Sequence, residues 1–173
     1  MSSIISIVLR AAALLWTLLI TALIGNVIAT NINAATSATA AVNFTMFVAV
    51  LCWIVCLYGL VAGFVSALGA VMVLLVLDVL AVLFTFIDAI VLAAKLGAVN
   101  CGNIRNAGLS DSWIGFGSAD DEKRCREIQA STVFMWFLWL CLCGALFFTI
   151  KEWRGGFGGS MRSSRPSMSQ VGV

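Results

Sequence analysis

Asp78 and Asp88 interrupt residues 70–94, AVMVLLVLDVLAVLFTFIDAIVLAA, in which Thr85 is the one other polar residue. An acid in a stretch this apolar costs about 2.5–3.5 kcal/mol to place in a bilayer, so each needs a partner or a task. Helical geometry sets the two carboxyls about 80° apart, on one broad side that should face protein or water instead of lipid. Several chemistries fit. The acids could relay a proton or cation, as in a small transporter or channel subunit. Asp78, about 12 Å below one membrane surface by helix rise, could instead pair with Arg10, which follows an apolar lead-in at comparable depth. In the competing arrangement Arg10 snorkels to the headgroups and Asp78 is neutral or bonded to small residues. Asp88 lies nearer the opposite face, with Lys95 two turns on, and is expected to reach interfacial water.

The remaining chemistry-bearing residues are cysteines and a basic tail. The chain has six cysteines and no histidine, which removes the commonest general base and metal ligand. Cys52, Cys56, Cys141 and Cys143 lie in apolar stretches and read as small hydrophobes, so neither a metal nor a cofactor is expected. With no nucleophile elbow either, the chain does not read as an enzyme. Cys101 and Cys125 are the two cysteines of the polar loop and are expected to form a disulfide in an oxidising compartment. Closing that loop would contribute on the order of 3 kcal/mol in the chain-entropy model. Lys151, Arg154, Arg162 and Arg165 follow the last apolar stretch, where each could gain about 1 kcal/mol near an anionic leaflet. Phosphorylation of the interspersed serines would weaken that attraction.

These residues are positioned by membrane helices. Hydrophobic residues make up 62% of the chain and charged ones 10%, against about a quarter charged in a soluble domain. The net charge of +2 is too small for a nucleic-acid binder. The expected architecture is an all-α, four-span bundle over residues 1–150, with spans at about 11–29, 42–65, 70–94 and 130–150. The first apolar run is too long for a cleaved leader, although Val27-Ile28-Ala29 would suit a signal peptidase. Gly59, Gly63 and Ala67 make a small-residue stripe at intervals of four, a face on which helices could pack closely in lipid. The outer loop is expected at 95–129, with a helix beginning near Ser118-Ala119-Asp120-Asp121, where a hydroxyl precedes a carboxylate by three residues. Residues 151–173 read as a flexible basic tail. Lys and Arg tie at five on each side of the membrane. Arg10 beside span one and the loop cysteines break the tie in favour of both termini cytoplasmic.

Short motifs run along the whole chain: Leu9-Arg10, Val42-Asn43-Phe44 with Met46-Phe47, Leu57-Tyr58-Gly59, Leu77-Asp78 and Phe84-Thr85-Phe86. Cys101, Cys125-Arg126 and the closing Ser169-Gln170-Val171-Gly172-Val173 complete the series. In this order and spacing they resemble the fungal non-classical-export and eisosome tetraspan family, within the wider MARVEL-domain group. The resemblance implies a multi-pass plasma-membrane protein of furrow-like microdomains, linked to sphingolipid response and membrane curvature. It also implies that Gly172 and Val173, with the tail before them, form an organising segment for cytosolic eisosome-type scaffolds. Asp88 falls outside that pattern, and the tail's basic residues are dispersed. The expected function is non-enzymatic membrane organisation through lateral helix packing, self-association, lipid contact and tail-mediated recruitment. The alternative is the small transporter or channel subunit using Asp78 and Asp88.

Overall fold

The computed structural model describes residues 2–64, 71–106 and 108–160. Four long helices account for most of them: α1 (Ser2–Ala29), α2 (Thr36–Phe64), α3 (Val71–Leu96) and α4 (Asp121–Ser160). No strand occurs among the described residues. Each helix is long and apolar enough to cross a membrane. α1 alone has 28 residues, about 42 Å of helix. Lipid offers the backbone no hydrogen bonds, so each span must satisfy its own N–H and C=O groups, and a helix does so.

The helices neighbour one another in the cyclic order α1–α2–α3–α4, with α4 closing back onto α1. α1 and α3 therefore face each other across a diagonal. Ile20 and Ile24 of α1, Val48 and Val55 of α2, and Met135 and Leu138 of α4 fill the centre with no exposure. Large apolar side chains also cover the outward faces, among them Leu15, Ile54, Met72, Val76, Leu140 and Phe147. In water such a surface would aggregate; in a bilayer it is the lipid contact. Buried hydroxyls mostly bond within their own helix: Thr17 donates to Ala13 O, Thr85 to Ala81 O and Thr132 to Ile128 O.

The helices overrun the apolar stretches that mark them. α1 starts at Ser2, not near Ala11, because Ile4, Ile5, Ile7 and Val8 continue the helix through the lead-in. α2 starts at Thr36, not near Val42, because Ser37-Ala38-Thr39-Ala40-Ala41 is small and tolerates helix, leaving a connection of residues 30–35. α4 is continuous from Asp121 to Ser160, so the first part of the expected tail is helical. Its N-cap is Asp120, whose Oδ1 accepts from Lys123 N at 3.0 Å, and not Ser118. Ser118 Oγ accepts from Asp120 N instead.

Between α3 and α4 the polar loop folds over one end of the bundle. Gly97, at φ +69°, ends α3 in the left-handed conformation that a side chain would strain, and its N–H returns to Ala93 O at 2.9 Å. Trp113 Nε1 donates to Leu96 O at 2.8 Å and so satisfies a carbonyl left open at that helix end. Cys101, in a short 3₁₀ helix (Cys101–Asn106), is bonded to Cys125 in the second turn of α4. Arg124 is buried: Nε donates to Ile114 O at 3.1 Å, and Nη1 to Asn31 Oδ1 at 3.3 Å and Val27 O at 3.5 Å. Ile32 N donates to Gly117 O, so the α1–α2 connection is tied to the same loop.

Candidate functional site

The polar residues inside the bundle form two separate clusters at different depths. The first is built on Arg10, which is 1% exposed although it carries a full charge on a lipid-length helix. Its guanidinium crosses the bundle diagonal from α1 to Asp78 of α3. Nη1 donates to Asp78 Oδ1 at 3.0 Å and Nη2 to Oδ2 at 2.6 Å, the two-pronged pairing that a planar guanidinium makes with a carboxylate. Thr149 of α4 completes the cluster: its Oγ1 accepts from Arg10 Nη2 at 3.2 Å and donates to Asp78 Oδ2 at 2.8 Å.

α2 contributes a missing side chain. A Cβ at Gly59 would overlap the Arg10 guanidinium, so only glycine lets the arginine lie there. Gly59 was expected on a small-residue face between helices. The structure turns it inward, where the close approach it permits is that of Arg10. The side chain environment at Gly63 and the whole of Ala67 lie outside what is described. All four helices thus meet at one guanidinium: α1 supplies it, α3 neutralises it, α4 bridges the pair and α2 makes room. Removing one partner of a buried ion pair costs about 3–5 kcal/mol, because the other charge is left bare.

The second cluster lies about 15 Å along α3, by helix rise. Asp88 is fully buried and does not reach interfacial water, contrary to expectation. α2 covers it, and Oδ1 lies 2.9 Å from Thr45 Oγ1. Among the described residues Oδ2 has no hydrogen-bond partner. Lys95 is exposed and forms no salt bridge with Asp88. Thr45 and Thr149 were not expected at these sites. Thr45 stands at a depth in α2 comparable to that of Asp88 from the end of α3, whereas Thr149, close to the end of its apolar stretch, gave no such signal.

The cysteine expectations divide the same way. Cys101 and Cys125 are joined. Cys52 and Cys56 are buried, and Cys141 and Cys143 are half-buried in α4. No group of three or more metal-ligating side chains occurs among the described residues. At the far end of α4, Lys151 and Arg154 are exposed, and Lys151 Nζ lies 5.2 Å over the Phe147 ring. Arg162, Arg165, Gly172 and Val173 lie outside the described residues.

The MARVEL family, described as a membrane-associating domain, matches residues 3–148. That stretch holds Arg10, Gly59, Asp78, Asp88 and both loop cysteines. Two Saccharomyces cerevisiae proteins are similar to the chain. "Non-classical export protein 2" is 32% identical over 119 residues, covering 68% of this chain and 66% of the relative. "Non-classical export protein 2 homolog 1" is 33% identical over 154 residues, covering 81% of this chain and 84% of the relative. No solved structure matches the chain. A four-helix membrane bundle, a family match over nearly all of it and these two relatives agree: the chain belongs to the MARVEL membrane-associating family, among its fungal non-classical export members.

Proposed function

We propose that the protein is a non-enzymatic, multi-pass organiser of furrow-like, eisosome-type microdomains of the plasma membrane, with both termini in the cytoplasm. The observation that carries this reading is the closure of the Arg10 cluster. Asp78 has both oxygens occupied by Arg10, and Thr149 bridges the two. Charges used up on one another hold helices together and leave nothing to bind or pass a solute. The relay alternative needs exchange between Asp78 and Asp88, yet Asp78 is held by a guanidinium and Thr85 between them bonds to its own helix.

Lateral assembly then falls to the outward faces, because Gly59 is occupied from within. The basic tail contacts anionic inner-leaflet lipid and recruits cytosolic scaffold proteins, with Lys151, Arg154, Arg162, Arg165 and the terminal Gly172-Val173 as the contact residues. The names of the two yeast relatives tie them to non-classical export, and we extend a role in that route to this chain through the membrane it organises.

Imaging a tagged copy beside a furrow marker, with and without residues 151–173, tests the proposal. The full chain should cluster with the marker, and the truncated chain should stay in the plasma membrane but disperse. A full chain that is evenly spread, or held in an internal membrane, would overturn the proposal.

A further inference from the structure

Asp78 and Asp88 share a helix, but their surroundings call for opposite forms of the carboxyl group. Asp78 meets five-donor guanidinium chemistry and needs its charge. Asp88 meets no cation: among the described residues no salt bridge reaches it, and Cys52 of α2 is the titratable side chain that interacts with it.

The unpartnered Oδ2 bears most on the form. Thr45 Oγ1 lies 2.9 Å from Asp88 Oδ1 and 3.1 Å from Ala41 O, and a hydroxyl carries one hydrogen. With Asp88 ionised, Oδ1 takes that hydrogen, and the Ala41 carbonyl keeps the backbone N–H of Thr45 that it accepts within α2. Oδ2 is then a charged oxygen with no partner among the described residues. With a proton on Oδ1, the chain closes. Asp88 Oδ1–H donates to Thr45 Oγ1, and the Thr45 hydrogen goes on to Ala41 O. The Asp88–Thr45 bond is kept, and Oδ2 becomes a neutral carbonyl oxygen, which is far cheaper to leave alone than a charge.

We infer that Asp88 is a proton-binding site: it holds a proton as a neutral carboxylic acid that donates to Thr45 and ties α3 to α2. The bundle therefore carries one ionised and one neutral aspartic acid on the same helix. The ligand of this site is a single proton. Losing it reverses the Asp88–Thr45 bond, with Thr45 now donating, and places a charge without a cation in the core.

Infrared spectroscopy of the full chain in lipid bilayers at neutral pH, with aspartate carboxyls isotopically labelled, tests the inference. The protonated acid should give a carbonyl stretch resolved from the carboxylate bands. It should vanish in Asp88→Asn and shift to higher frequency in Thr45→Val, where the acid loses its acceptor. If Asp88→Asn fails to fold, the Thr45→Val shift decides. An unvariegated protein without a protonated-acid band, a band that survives Asp88→Asn, or one that Thr45→Val leaves in place would each overturn the inference.

Discussion

Arg10 reaches across the diagonal of the bundle and makes a pairing that a lysine could not reproduce, since one ammonium cannot present two parallel donors to a carboxylate. Its place depends on the absence of a side chain at Gly59. That dependence gives the same substitution opposite signs at two helical glycines. Gly25→Ala puts a Cβ at ordinary contact distance, 3.8 Å from Met46 Cε. It should be neutral or stabilise by about 0.5–1 kcal/mol, because alanine is the better helix former. Gly59→Ala should lower the thermal midpoint, because Arg10 must leave Asp78, with a loss approaching the ~3–5 kcal/mol of a broken buried pair. Thermal unfolding of the two variants side by side in detergent checks this. Equal shifts would mean that Gly59 makes no special room.

The polar loop acts as a clasp over one end of the helices. Its disulfide, the buried Arg124 and the Trp113 indole tie α1, α3 and α4 together outside the membrane core. Cys101→Ser with Cys125→Ser should cost on the order of 3 kcal/mol and open the loop to added protease, while the four spans still insert. Protease sensitivity unchanged by the double replacement would show that Arg124 and Trp113 hold the loop alone. The existence of these helices was legible in the sequence, because apolar runs of membrane length have few other readings. Their ends were not. Hydropathy marks where lipid begins, whereas Ser37 to Ala41 and Lys151 to Arg154 are polar or small and still helical. The site was legible in the same uneven way. Arg10 and Asp78 stood out as charges that needed partners, but nothing in the spacing showed that they would meet across a diagonal. Gly59 announced a close approach without saying what approached. Arg124 counted as one more loop charge, since no local pattern reveals a cation whose partners are carbonyls 10 and 97 residues away. Asp88 was misread because its distance from a helix end says nothing about the helix that covers it.

Arg10, Asp78 and Asp88 are kept inside the bundle, while apolar side chains turn outward on all four helices. On the proposed function, such a body associates laterally in lipid, leaves recruitment to the tail and uses its buried charges for cohesion. Replacing both members of a buried ion pair with apolar residues of similar size is often neutral, whereas replacing one is strongly destabilising. The pair Arg10→Met and Asp78→Leu therefore separates cohesion from chemistry. Surface level and clustering beside a furrow marker should be measured for both single variants and the double. Cohesion predicts that each single variant loses surface protein, and that the double regains both wild-type level and wild-type clustering. A double variant that folds and reaches the membrane at full level but no longer clusters would contradict it, because the charges themselves would then carry the function.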